Sequence, residues 1–223
     1  MNILSRHGFA VPKDAELLWD YLRRGDISGW NILAQQRASI ELDHLRLHNV
    51  SMKGISLVGA TLTGAEMIGC NLDGADFTGA SLADANFIKS SLKSATFNGT
   101  QLMRVLFDRL NLSSARFVRA KLEGASFIGA KAIKADFTEA DLTGVNMQGA
   151  NMRKSILKNT ILHDADLRLA DFTCAVLHDA DLENARLGGA EMKSAILDRI
   201  KLTGTGYSVD DLKKFLNRSK VFN

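Results

Sequence analysis

The chain has 223 residues and a formal net charge of +3, and 46% of it is hydrophobic against 24% charged. No apolar run approaches the roughly 20 residues of a membrane span, and the first eleven residues hold no apolar core long enough for a secretory signal. A single soluble, cytoplasmic domain without membrane contact is expected.

In chain order, the first element is an amphipathic helix over 12–24. Pro12 suits its first turn, Leu18, Tyr21 and Leu22 share a face with Leu17 at its edge, and Gly25 can end it. The segment from Gly25 to Ile32 carries a spacing of five, with Ile27 and Ile32 as apolar centres, until Arg37 breaks it. Residues 1–39 therefore read as a helical cap and lead-in, covering an end where unpaired backbone groups would otherwise meet other chains.

A repeat follows. From Ile40 to Gly204 every position whose number ends in 2 or 7 is a large apolar residue, apart from Ala132. The residue two places earlier is small or aliphatic, and is Ala at 20 of the 33 positions. A run such as Ala75 to Asp84 fits neither the helical period nor strand alternation, and a fixed internal period marks a stacked repeat. Two inward side chains in every five force a corner after each unit. Gly fills the fifth position in 13 of the 33 units and Asn or Asp in six more, which suits the third residue of a type II turn, where φ is positive.

The central residue alternates Leu and Phe from Leu72 to Phe127. Sorting by twenty gathers Leu42, Leu62, Leu82 and Leu102 in one column, Phe77, Phe97, Phe117 and Phe137 in another, and Phe87, Phe107 and Phe127 in the column opposite. Four units per coil explain this sorting. About eight coils at the ~4.8 Å strand spacing make a rod roughly 40 Å long. In it Cys70 points inward and Cys174 stands at a corner, so they cannot pair, which fits a reducing compartment.

The motif Ala-(Asp/Asn)-(Leu/Phe)-x-Gly, nearly unaltered at Ala75 to Gly79, Ala140 to Gly144 and Ala180 to Asn184, resembles the pentapeptide repeat family over about three quarters of the chain. The resemblance implies an all-β solenoid, a right-handed quadrilateral β-helix over 40–204. The pair Trp30-Asn31 followed by Arg37 is similar to the lead-in of that family's members.

Some units depart from the pattern. Ile40, Leu45, Val50 and Ile55 exceed the Ala that follows and predict a wider or less regular first coil. Val105 and Leu110 enlarge the small position, and Leu106 is apolar where an outward side chain belongs. At Ala132 the central side chain is lost, leaving a void worth about 2–4 kcal/mol, which predicts a bulge over 130–134. Residues 205–223 leave the register. There Ser208 can cap a short helix with Asp210 and Asp211 in its first turn and Leu212, Phe215 and Leu216 on one face, either a monomeric cap or a homodimer contact.

Outward positions offer no Ser-His-Asp order, phosphate loop or metal-ligand spacing, so no enzyme, catalytic residue, metal, cofactor or small-molecule substrate is expected. The doublet His163-Asp164-Ala165-Asp166 and His178-Asp179-Ala180-Asp181 places its copies three corners apart, with the histidines about a face width from each other. That is too far to share a metal.

Charge is more informative. The wall through the Leu column carries Glu41, Asp43, Asp84, Glu123, Asp141, Asp164, Asp181 and Glu183 against Arg104, Lys121 and Lys201, eight against three, or −5. The opposite wall carries Lys53, Lys93, Lys131, Lys134, Arg153, Lys154 and Lys193 against Asp73, Asp171 and Glu191, seven against three, or +4. The remaining walls align Ile68, Ile88 and Ile128 on one and Ile156, Val176 and Ile196 on the other. Such aliphatic ladders serve β-propensity or a docking strip.

These features fit an interaction module for a protein partner. The family resemblance implies an alternative, a DNA mimic that binds gyrase and protects it from quinolones. That role needs acid along the rod, and the basic wall disfavours it. Weak, salt-sensitive nucleic-acid binding by the basic wall is the third reading.

Overall fold

The computed structural model describes residues 13–208 and 210–212. Expectations resting on Pro12, Phe215 and Leu216 fall outside them. Helix α1 (Ala15–Arg24) ends at Gly25, whose φ of 66° lets its N–H return to the carbonyls of Leu22 and Tyr21. Its Leu18 is buried, and Tyr21 meets Trp30 edge-on at 6.1 Å.

Helix α2 (Ile27–Gln35) starts at Asp26, whose carboxylate accepts the Gly29 N–H at 2.7 Å. This corrects the reading of Gly25 to Ile32 as the start of the five-residue register: Ile27 opens a helix and Ile32 is 60% exposed. A pentad is stable only beside a coil to pair with. Ahead of the first coil the bonds of a capped helix are the ones available.

From Glu41 to Lys201 the bridges outside named strands each join a residue to the one twenty further on, always in parallel. Among the described residues only β1 (Arg46–His48) and β2 (Glu66–Ile68) extend to three residues. Elsewhere each wall is one rung wide, as at Thr61↔Ser81↔Gln101. The rung bonds are short, with Leu62 N–H to Ser81 O at 2.7 Å and Ser81 N–H to Ala60 O at 2.9 Å. A turn bond, such as Ala65 N–H to Leu62 O at 3.0 Å, closes most corners. Leu62, Leu82 and Leu102 are fully buried, one above another.

All 33 corner residues have φ between 53° and 74°, and 20 of them are not Gly. Lys89, Arg109 and Leu169 each hold a conformation that costs an L-residue about 1–2 kcal/mol. The ladders above and below impose it. Two glycines have a further reason. A Cβ on Gly64 would lie 2.7 Å from His44 Nδ1, and one on Gly204 would lie 2.0 Å from Asn184 Oδ1, because the corner side chain below leans across.

The interior is a packed apolar stack. Phe77, Phe97, Phe117 and Phe137 lie face to face at 5.0, 4.9 and 4.8 Å with planes 3°, 5° and 2° apart. The opposite column of Phe87, Phe107 and Phe127 meets them edge-on at 5.8 to 6.4 Å. Inward hydroxyls are satisfied: Thr100, Thr160 and Ser90 donate to the carbonyls of Phe77, Phe137 and Met67 in the coil before.

No bulge forms at 130–134. Lys131 N–H bonds Leu110 O, Ala132 N–H bonds Asn151 O, and Ala135 N–H closes the usual turn on Ala132 O, at 2.9, 2.9 and 3.1 Å. A lost side chain leaves these rungs intact, whereas a bulge would break several at about 1 kcal/mol each. The first coil and the coil through Val105 and Leu110 also keep the register, as Glu41↔Thr61 and Leu106↔Ser126 show.

Candidate functional site

With four units per coil, residues ten apart lie on opposite walls, so the walls are those the spacing implies. Each unit shows the solvent the residues flanking its centre and the corner. The flanking Asp or Asn is structural. Asp76, Asp136 and Asp141 each accept both the N–H and the hydroxyl of the Thr two places on, at 2.6 to 3.0 Å. That N–H has no rung partner, so the side chain supplies the acceptor. Asp181 does the same for Glu183 N–H at 3.2 Å, which makes the repeated Ala-Asp pairs part of the scaffold.

The histidines of the doublet meet neighbours that counting corners did not suggest. His163 Nε2 lies 3.2 Å from Asp181 Oδ2 in the next coil, and ligand atoms of His163, Asp181 and Glu183 lie within 4.8 Å of one another. These three could hold a divalent cation, but Lys201 Nζ already contacts Asp181 at 2.7 Å. Burial pushes the Asp181 carboxyl up, yet hydrogen bonds from Lys201 and His163 leave it below the usual range. The contact was missed because its spacing is eighteen, one coil less two residues. His178 sits between Asp179 at 3.0 Å and Asp198 at 3.1 Å, with Arg199 also on Asp179 at 2.7 Å. The Arg199 hydrogen bond holds the Asp179 carboxyl below its ordinary value.

Along the acidic wall Asp84 is held by Arg104 at 2.6 Å and Glu41 by Lys13 at 3.7 Å. Asp141 is turned to Thr143. Glu123, Asp164 and Glu183 make no ion pair among the described residues. On the basic wall Arg153 pairs with Asp171 at 3.1 Å, while exposed Lys93, Lys131, Lys134, Lys154 and Lys193 have no carboxylate partner among the described residues.

Of the apolar ladders, Ile156↔Val176↔Ile196 is consecutive, with the outer two 39% and 53% exposed and Val176 half-buried. Ile68, Ile88 and Ile128 share the other wall, with Asp108 between the last two, and Ile88 is 46% exposed. Leu212 is buried against the last coil beside Leu187, Met192 and Tyr207. The Ser208 hydroxyl accepts Asp211 N–H at 3.1 Å, as an N-cap should. Cys174 is exposed at a corner; Cys70 is inside, where burial pushes its thiol up.

The model of the pentapeptide repeats matches in eight copies between residues 40 and 205. The chain is a pentapeptide repeat protein. The rod is thus a right-handed quadrilateral β-helix. Among solved structures the protein is similar to HetL of the cyanobacterium Nostoc sp. strain PCC 7120, a pentapeptide repeat protein involved in heterocyst differentiation regulation, with 22% identity, 82% of this chain and 98% of that one covered, and a TM-score of 0.50. It is also similar to full-length QnrB1, a plasmid-mediated fluoroquinolone resistance protein, at 16% identity over 78% and 96% of the two chains with a TM-score of 0.36. A third, Rfr23 of the cyanobacterium Cyanothece 51142, has 24% identity over 59% and 90% and a TM-score of 0.20. No curated protein matches the chain. At these identities the solved structures speak to fold alone.

Proposed function

We propose that the protein is a non-enzymatic interaction module, a stiff rod whose outer walls dock on a protein partner. The observation that carries this reading is the consecutive ladder of exposed Ile156, half-buried Val176 and exposed Ile196, held by rungs on a frame filled to its axis with Leu, Phe and Ala. A packed frame keeps side chains in fixed rows, which suits recognition by a flat surface. Affinity capture from the native cell tests it. Val176→Asp should abolish capture of a partner that the wild type retains, with an unchanged melting profile, and undiminished capture would remove the ladder as a docking strip.

The acidic wall gives the second reading, competition with DNA for gyrase, its only support. Its −5 stands opposite a +4 wall, so a DNA-like field covers one side of the rod. Supercoiling by gyrase with a quinolone present should be unaffected by micromolar protein if the first reading is right. Protection of gyrase would replace it with the second.

A further inference from the structure

The two charged walls are complementary to each other, and they are back to back. They are built from separate ladders, Glu41↔Thr61 to Asp181↔Lys201 and Ser51↔Asn71 to Asp171↔Glu191. A rod cannot fold one wall onto the other, so neither charge can be neutralised by its opposite within the molecule. The side chains agree: Lys131, Lys134 and Lys154 on one wall and Glu123, Asp164 and Glu183 on the other lack ion pairs among the described residues. The three lysines lie on the two coils between residues 120 and 159, and Asp164 and Glu183 on the next two, between 160 and 199. A copy displaced sideways without being turned over, and slid about two coils along the axis, sets Asp164 and Glu183 against Lys131, Lys134 and Lys154 of its neighbour. Both surfaces are flat, and both repeat with the same rung spacing.

We propose that the protein associates side by side with further copies of itself, acidic wall on basic wall; this names a partner for the module reading and rests on it. The contact is heterologous. A pair so formed still presents one free acidic wall and one free basic wall, so growth has no natural stopping point at two. Because the contact is exposed and electrostatic, it should weaken as the screening length shrinks from about 30 Å at 0.01 M salt to about 3 Å at 1 M. This association involves neither the ends of the rod nor the Ile156 ladder, so its failure would leave the docking of another protein on that ladder standing.

Sedimentation of nuclease-treated protein tests it, with three chains compared at low and high salt. Wild type should show an average mass that rises with concentration beyond that of a dimer at about 0.01 M salt and falls to that of the monomer near 1 M. The variant K131E/K134E/K154E has two acidic walls, and the variant E123K/D164K/E183K loses the acidic patch. Each alone should stay monomeric at low salt with wild-type circular dichroism, and the two mixed should form complexes. A wild type that is monomeric at every concentration and salt overturns the proposal. So does either variant associating as strongly as wild type, or wild-type assembly that disappears once nucleic acid is digested. Should one variant fail to fold, mixing the other with wild type decides: wild type must bind it through the one wall left complementary, and absence of mixed complexes refutes the contact.

Discussion

The two ends of the rod solve the same problem to different degrees. At the first coil the missing neighbour is replaced by side chains. Asn31 Nδ2 donates to Gly54 O at 2.9 Å, its Oδ1 accepts Ser56 N–H at 2.7 Å, and Trp30 Nε1 donates to Ser56 O at 2.9 Å. The N–H and carbonyl of Ser56 are the groups that a preceding coil would have paired, and a carboxamide has the donor and acceptor of a peptide unit. Asp14 does likewise, giving its N–H to Glu41 O at 3.3 Å and accepting Glu41 N–H at 2.8 Å. Arg37 in turn neutralises its nearly buried carboxylate. At the other end, the amides of Leu187, Met192, Leu197 and Leu202 find no acceptor among the described residues, and Leu197 and Leu202 are only partly buried where Leu42 and Leu47 are fully so. A solenoid edge is thus closed by side chains that imitate backbone. Apolar cover, such as Leu212 supplies, does not pair it.

The largest expected effect follows from Trp30, which is fully buried between α1 and the first coil. Trp30→Ala should lower stability by about 3–5 kcal/mol in denaturant unfolding, and a loss below about 1 kcal/mol would mean that the cap is an ornament. Asn31→Ala strands Ser56 N–H and Gly54 O and should cost about 1–3 kcal/mol. Asn31→Asp, which keeps the acceptor and loses the donor, should fall between that variant and wild type. Midway between the ends, Ala132→Leu restores the missing central side chain and should raise stability by about 1–2 kcal/mol. A decrease would show that neighbours have already closed in.

The smallest effect separates the halves by pH. Asp166, Asp171, Asp179 and Asp181, all in the later coils, have carboxyls held below their ordinary value. For Asp166 the Arg168 hydrogen bond is the main cause; for Asp171 burial acts upward but bonds from Thr173 and Arg153 prevail. A carboxyl depressed in the folded state contributes stability that is whole above the unfolded value of 3.8 and is lost as pH falls through the lower folded one. Melting temperature should therefore drop as pH is lowered through about 4 and below. Asp179→Asn should flatten that drop slightly.

Much of this could be seen in the residues themselves. The Leu and Phe columns follow from counting, because a side chain at every fifth residue has one inward place to go. What counting could not supply was contact between units that are neither adjacent nor twenty apart. His163 reaching Asp181 is one case, and Asp14 reaching Glu41 across 27 residues is another. Ile27 and Ile32 mimicked the pattern in a stretch with nothing to stack on. Ala132 seemed a defect because only its side chain was considered, while its backbone bonds decide the path. At Lys89 and Leu169 only the place in the five-residue register marks a left-handed corner, and the residue type does not; their conformation is imposed by the coils on either side.

Amide hydrogen exchange tests most directly whether side chains complete the ladder at one end and, among the described residues, none does at the other. Ser56 and Glu41 amides should exchange as slowly as interior rungs such as Leu82 and Leu102, while those of Leu187, Met192, Leu197 and Leu202 exchange with little protection. Equal protection at both ends, or rapid exchange at Ser56, would contradict it.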